Sequence, residues 1–541
     1  MSDATSVLPG PEQLAQAVRE ALAAAGLPDR EPAFERPRQR EHGDWATNVA
    51  LTLAKPVGRP AREVAGAIVA QLEDVPGVES VEIAGPGFIN FRLSHAALEA
   101  IVRRAVTEGE DWGRTKPERP LGRVNVEFVS ANPTGPLHVG AGRWAAAGDA
   151  IARLLEATGW EVVREYYVND AGTQVQLFAE SVAARMRGED VPEDGYRGAY
   201  VDDLARELAA EGVAPEEVGD LAHQRMLARI RATLESFGVR YDVWFSERSL
   251  HEEGAIERIV EDLLERGVAY EAEGATWLRT TDFGDDKDRV LLRADGRPTY
   301  FAADCAYLAS KASRGFDKSI YLLGADHHGY VKRLKAIAAA EGLPDDAVEI
   351  IIGQLVNLYR GGEAVRMSKR TGEMVTFDEL IEEVGPDAAR YTFLRTSIDV
   401  TLDFDIAEVV RQDRENPVYY VQYSTARIAG IMRTARERGV EPGDVADAPL
   451  ELLTHDSEIE LVRRIGAFPE TVAFAAADRA PHRMTRYAEE LAEAFHKFYT
   501  DCQVVSDDAD LTRARYWLCV AARQTLANAL GLLGVSAPER M

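Results

Sequence analysis

Cysteine is scarce in this chain. Its three thiols, Cys305, Cys502 and Cys519, are too few and too scattered for a disulfide framework or a four-cysteine zinc site. No structural zinc is therefore expected, and a reducing cytoplasm fits that usage. Long apolar runs are missing too: no window approaches ~18 consecutive apolar residues, so no membrane-spanning helix is expected. The first residues, MSDATSVLPGPEQL, have neither the basic start nor the apolar core of a signal peptide. Lysine is rare, at nine of the 62 basic residues, and arginine forks, which suit phosphate, supply the rest. Positive charge as a whole is outnumbered. A net charge of −28 repels polyanions at long range. That speaks against a nucleic-acid partner unless cationic groups cluster locally, because phosphate binding depends on local patches. Composition leaves the partner open. No oligomerisation segment is evident, and a monomer is expected.

What is present is length and apolar material. The 541 residues exceed one compact core, and 46% of them are apolar, which predicts three or four folded domains. Residues 1–107 read as a small α+β module: Leu14, Val18, Ala21 and Leu22 fall at helix spacing, Val64–Leu72 reads as a second helix, and VESVEIAGPGFINFRLS as two strands broken at Gly85-Pro86-Gly87. Residues 108–122 form a polar linker. Residues 123–404 open with an apolar strand, Val124–Val129, followed by a helix starting at Gly142 and a second strand, Glu161–Val168; this βαβ spacing predicts a Rossmann-like parallel sheet. The acidic, helical stretch at about 175–290 reads as an insertion, after which strands resume at Ser319–Gly324 and Val348–Leu355. Residues 405–541 read as a helical bundle. The expected class is thus multidomain α/β.

Two motifs carry chemistry. ANPTGPLHVGAGR (131–143) lies between a strand and a helix, where backbone N–H groups and the helix dipole favour an anion. Gly135 and Gly140 allow close backbone approach there, and His138 offers a donor to a phosphate. Taken alone, the motif reads equally well as a Gly/Pro-rich surface turn. RMSKRTGEMVTFDEL (366–380) places Lys369 and Arg370, flanked by Arg366, on a loop able to close over a polyphosphate and neutralise charge as a bond to pyrophosphate breaks. Taken alone, it reads as an ordinary basic turn. His327-His328 has no further Cys or His at ligand spacing, so no metal site is expected.

Together, the two motifs and their order resemble the HIGH and KMSKS signatures of class I aminoacyl-tRNA synthetases. VNVEFVSANPTGPLHVG, REYYVNDAGTQ, DGRPTYFAADCAY, YLLGADHHGY and NPVYYVQYSTARI, with GDWATNVALTLAK and GPGFINFRL near the front, resemble arginyl-tRNA synthetases over nearly the whole length. The chain departs from the signatures at Ala141, in the fourth place of HIGH, and at Arg366 and Arg370, the first and last places of KMSKS.

The resemblance implies ligation of L-arginine to tRNA(Arg) through an arginyl-adenylate, with ATP consumed as its Mg2+ complex, and catalytic roles for His138 and Lys369. It implies ATP contacts at Gly135, His138, Gly140, Met367, Ser368 and Lys369, with Lys369 stabilising the α-phosphate. Asn132 would contact the amino acid. Glu127 would take its α-ammonium group, or serve instead as a paired structural carboxylate. Tyr300 and Asp304, at i and i+4 of an expected helix, face one way. An anionic Asp304 suits a guanidinium, since such pairs are bidentate and charge-assisted. Asp326 is a second candidate for that pocket. The bundle resembles an anticodon-binding domain, in which Tyr419, Tyr423 and Arg427 would meet unstacked bases. Arg433, Arg436, Arg463 and Arg464, and Arg36, Arg38 and Arg40 in the first module, are further candidates for RNA contact.

Overall fold

A computed structural model describes residues 10–37, 39–72, 74–365 and 375–541. The first module is a four-stranded antiparallel sheet, ordered Phe34–Glu35, Trp45–Thr47, Phe88–Leu93, Val78–Ala84, with helices Pro11–Ala24, Val49–Val57 and Ala61–Val69. Gly85-Pro86-Gly87 makes the expected hairpin turn. The following helix, His95–Glu108, is capped by Ser94, whose hydroxyl accepts from Ala97 N. The expected linker is not loose: Trp112 is buried, and Asn528 of the final helix donates to the carbonyls of Gly109 and Trp112 at 2.8 and 3.0 Å.

The central sheet has five parallel strands, ordered Val348–Gly353, Lys318–Gly324, Arg123–Glu127, Glu161–Val168, Val243–Ser246. The chain starts at Arg123–Glu127, runs outward through two strands, then crosses back to lay Lys318–Gly324 on the other side. That reversal falls between Arg123–Glu127 and Lys318–Gly324, and such sheets take ligands at the carboxyl ends of the strands there. Val243–Ser246 lies inside the stretch read from sequence as a helical insertion, and this corrects it. Helices Thr173–Met186, Ala199–Ala210 and Gly219–Ser236 share the main core, whereas Leu250, Ile256, Val260, Leu263, Leu278 and Leu291 form a second core with helix Tyr300–Ser313. The separately packed unit is therefore the later half, which contains a three-stranded antiparallel sheet over Ala269–Leu292.

Five long helices close the chain: Pro417–Glu437, Asp456–Gly466, Phe468–Ala477, His482–Asp501 and Ala509–Leu533. This bundle binds the first module through charged contacts. Arg36 donates to Glu470 at 3.0 Å and to Gly466 O, Arg463 pairs with Asp44 at 2.5 Å, and Arg103 donates to the carbonyls of Val445, Ala446 and Ala448. Arg464 pairs with Glu460 and Glu490. Arg36, Arg463 and Arg464, candidates for RNA contact in the sequence, are thus engaged within the protein. Arg38 and the Arg40 side chain lie outside the described residues.

Candidate active site

The first strand ends under strain. Val129 and Ser130 have φ of 70° and 42°, the left-handed region that L-residues rarely adopt, and a β-branched valine least of all. Such backbone persists only where its surroundings fix it, and three hydroxyls do so. Tyr166 OH donates to Ala131 O at 2.8 Å and accepts from Ala131 N at 3.0 Å. Tyr241 OH donates to Phe128 O, and Ser130 Oγ accepts from Tyr167 N. The turn sends the chain through Asn132, whose amide donates to Gln174 at 2.6 Å, to His138.

Helix Val139–Ala157 starts three residues earlier than its sequence suggests, because His138 is the N-cap: Nδ1 accepts from Ala141 N at 3.2 Å. With Nδ1 accepting, neutral imidazole carries its proton on Nε2. The cap explains Gly140, where a Cβ would stand 2.9 Å from the His138 ring. Further along, a Cβ at Gly148 would fall 2.1 Å from Phe128, so the helix lies directly on the strand. Thr376 pairs with His138 in an antiparallel bridge, and Phe377 N donates to Leu137 O at 2.8 Å. The later part of the second motif is thereby tied to the first. Arg366, Met367, Ser368, Lys369 and Arg370 themselves lie outside the described residues. A groove of about 1090 Å³ runs here, lined by Asn132, Gly135, His138, Gln174, Tyr200 and Thr376.

A separate cluster of acidic side chains gathers around Asp304. Helix Tyr300–Ser313, capped by Thr299, puts Tyr300 at the rim, 67% exposed, and turns Asp304 inward to accept a hydrogen bond from Tyr330 OH. Burial pushes the Asp304 carboxyl up to about 7; the Tyr330 bond and Arg333 pull the other way, and Glu247 and Glu127 add to the rise. Glu247 is buried at the start of a short helix directly after Val243–Ser246. Burial raises its carboxyl as well, against a hydrogen bond from Tyr167. Neither Asp304 nor Glu247 has an ion-pair partner within 4.0 Å among the described residues.

Glu127 differs. Its Oε2 lies 2.6 Å from Lys311 Nζ and 2.8 Å from Tyr307 OH, and Oε1 accepts from Ser130 Oγ at 3.2 Å. Glu127 is thus ion-paired within the protein. Asp326 stays apart: its carboxylate is exposed on the turn Ala325–Tyr330 and lies 3.6 Å from His327. Glu247, Tyr330 and Lys311 were not singled out in the sequence. A carboxylate at the start of a helix that follows a strand was the signal for Glu247, hidden because that strand spans only four residues. Among the described residues no group of three or more His, Cys, Asp or Glu could hold a metal ion.

In the first helix of the bundle, Tyr419 and Tyr423 stack with centroids 6.1 Å apart and 10° between planes, and Tyr423 stacks on His496 at 6.1 Å and 18°. Arg427 donates to Tyr423 OH at 2.9 Å and lies 4.4 Å over Tyr499. Burial, with Arg427 beside it, holds His496 down at about 4, so the ladder is neutral apart from Arg427.

Three family models match consecutive stretches: the arginyl tRNA synthetase N terminal domain over 12–93, the class I (R) tRNA synthetase catalytic domain over 114–394, and the DALR anticodon binding domain over 421–541. The chain is 49% identical to an arginine–tRNA ligase of Kineococcus radiotolerans, over 98% of this chain and all of that one. The chain belongs to the arginyl-tRNA synthetases. It is also 51% identical to an arginine–tRNA ligase of Frankia alni over 94% of each chain. A solved arginyl-tRNA synthetase from Thermus thermophilus superposes with a TM-score of 0.77 at 25% identity, over 98% of this synthetase and all of that chain. Among the described residues no helix is long and apolar enough to cross a membrane, and the three cysteines of the synthetase are buried, unpaired thiols.

Proposed function

We propose that this synthetase joins L-arginine to its cognate tRNA in two steps at the carboxyl ends of strands Arg123–Glu127 and Lys318–Gly324. It is an arginine–tRNA ligase of class I, working in protein synthesis and consuming ATP. In the first step an arginine carboxylate oxygen attacks the α-phosphorus of Mg2+-bound ATP. The bond to pyrophosphate breaks, leaving arginyl-adenylate. In the second, a ribose hydroxyl of the terminal tRNA adenosine attacks the activated carbonyl and AMP leaves. No side chain is a nucleophile; the work is positioning and charge stabilisation. The His138 Nε2–H and the N-terminus of its helix would hold phosphates, with close approach at Gly135 and Gly140. Met367, Ser368 and Lys369 would close over them, Lys369 at the α-phosphate. Asn132 would orient the amino acid, Tyr300 would cover its side chain, and Asp304 would take the guanidinium. Tyr419, Tyr423 and Arg427 would receive tRNA bases. The reading includes a monomer in the cytoplasm.

One observation carries the specificity. Asp304, half-buried, and Glu247, buried, are carboxylates without ion pairs among the described residues at the carboxyl end of a parallel sheet, and a cation of guanidinium shape satisfies them. Purified tRNA incubated with the full chain, ATP and radiolabelled amino acids should become charged with arginine and not with lysine or glutamate. Tight tRNA binding without charging would make the chain an RNA-binding relative instead.

Arginine binding should also depend on pH with a defined sign. Free Asp304 titrates near 7, and the bound guanidinium favours its ionised form. Below that value, binding must expel a proton and the affinity falls by up to about tenfold per pH unit; above it, the affinity levels off. Calorimetric titration with arginine from pH 5.5 to 9 reads the midpoint and, in buffers of different ionisation heat, the released proton. A flat profile would remove Asp304 from the binding reaction.

A further inference from the structure

Beneath the pocket lies a buried layer of charge that the two-step reaction does not use. Lys311, with no exposed surface, holds Glu127 at 2.6 Å and stands 3.9 Å from Glu165. Arg314 pairs with Glu165 at 2.5 Å, and Tyr307 OH lies between the two carboxylates, 2.8 Å from Glu127 and 2.5 Å from Glu165. Lys311 also packs 3.9 Å over the Tyr321 ring and 4.6 Å over that of Tyr307. Counted as charges, Glu127 and Glu165 are cancelled by Lys311 and Arg314. Asp304 and Glu247 are not cancelled. Burying an ammonium is costly unless it is paired, so its presence in this layer calls for an account.

We propose that Lys311 is a positioning residue for amino-acid selection: by neutralising Glu127 from below, it leaves the pocket one open cation seat, between Asp304 and Glu247. The inference rests on the reading of that pocket as the guanidinium site. Without Lys311, the Glu127 carboxylate is left without its cation and repels ionisation of Asp304. A bound guanidinium must then displace the Asp304 proton up to a higher pH, and tight binding shifts with it. The groups that set this are known from every side. Asp304 faces Tyr330 and Arg333 from one segment, Glu247 and Tyr167 from two others, and Glu127 from the first strand. Glu127 in turn faces Lys311 and Tyr307 on the helix and Tyr321 on the neighbouring strand.

The test is calorimetric arginine binding to the full chain across pH 6–9, for wild type and Lys311→Met. The variant should bind about tenfold more weakly at pH 7.5, with its affinity still rising toward pH 9 where the wild type has levelled. Lys311→Arg, which keeps the charge, should restore the wild-type midpoint. A role in packing alone would lower thermal stability and leave the midpoint in place, and that outcome overturns the proposal. Should Lys311→Met fail to fold, Tyr307→Phe withdraws only the neutral hydrogen bond. It should move the midpoint the same way, with about threefold weaker binding at pH 7.5; an unmoved midpoint overturns the proposal equally. If wild type itself binds no arginine at any pH, the arginine reading fails, a result distinct from either variant outcome.

Discussion

Replacing Asp304 by asparagine should lower kcat/KM for arginine by about a thousandfold while KM for ATP changes by less than about twofold. The asparagine amide has nearly the shape of the carboxylate and can still accept one hydrogen bond, yet its NH2 group points a donor at a guanidinium that is itself all donors. The substrate's charge is then left in a buried pocket with Glu247 as its nearest counterion. Truncating one partner of a buried charged pair costs about 2–5 kcal/mol, and about 4 kcal/mol corresponds to a factor of roughly 10³. The ATP side is expected to be insensitive because the features proposed to bind phosphate, His138 and the helix it caps, lie on a different strand–helix junction. Arginine-dependent exchange of pyrophosphate into ATP, in the presence of tRNA, measures both constants. The same variant should lose the pH dependence of arginine binding near 7, since the group that titrates there is gone. A loss below about tenfold would transfer the guanidinium to Glu247.

The features that could be read in advance are those whose meaning is local. ANPTGPLHVG announces a strand-to-helix turn by its glycines and prolines, and its histidine does cap the helix, although the helix begins at Val139 and not near Gly142. The i, i+4 spacing of Tyr300 and Asp304 held once the helix formed, because spacing on a helix is fixed by its geometry. The same holds for Tyr419, Tyr423 and Arg427. What was hidden depends on contacts between residues far apart in the chain. Glu127 and Lys311 are 184 positions apart, and no periodicity in either segment indicates that a lysine on a helix will neutralise a strand carboxylate. Val243–Ser246 was lost for a different reason: four residues between a long helix and a short one carry too little alternation to stand out, and only the neighbouring strand Glu161–Val168 makes them a strand. With that strand went Glu247. Arg36 and Arg463 misled in the opposite direction, since a surface arginine and an interface arginine look alike until the partner domain is in place.

Such long-range pairing also governs how the domains hold together, and Arg390 is where its removal should cost most. Arg390 is fully buried on helix Pro386–Leu394. It pairs with Asp149 of the helix that His138 caps, and donates to Phe237 O at 2.9 Å and to Leu533 O at 2.7 Å, at the end of the last helix of the bundle. Gly534 follows with φ of 69°, and a Cβ there would fall 2.4 Å from the guanidinium, so the helix terminus and the arginine are fitted to each other. Burial pushes the Asp149 carboxyl up, but Arg390, Arg153 and Arg164 more than offset this and hold it below the ordinary carboxylate value. Arg390→Met keeps the apolar stem and removes the charge. It leaves two carbonyls without this donor and Asp149 with two of its three cations. Breaking a buried pair costs about 3–5 kcal/mol, and the lower end applies here because Arg153 and Arg164 remain. Urea unfolding followed by tryptophan fluorescence and by circular dichroism should show the transition lowered by about 3 kcal/mol. The sign with pH provides an independent check. A carboxylate whose folded value is depressed contributes stability that is present above its unfolded value and lost as the pH falls through the folded one. Wild type should therefore lose stability on acidification below about pH 4, and Arg390→Met should lose less of it, because less of the depression remains to be lost. If the two proteins lost stability in parallel with falling pH, the Arg390–Asp149 pair would not be what joins the catalytic helix to the end of the bundle.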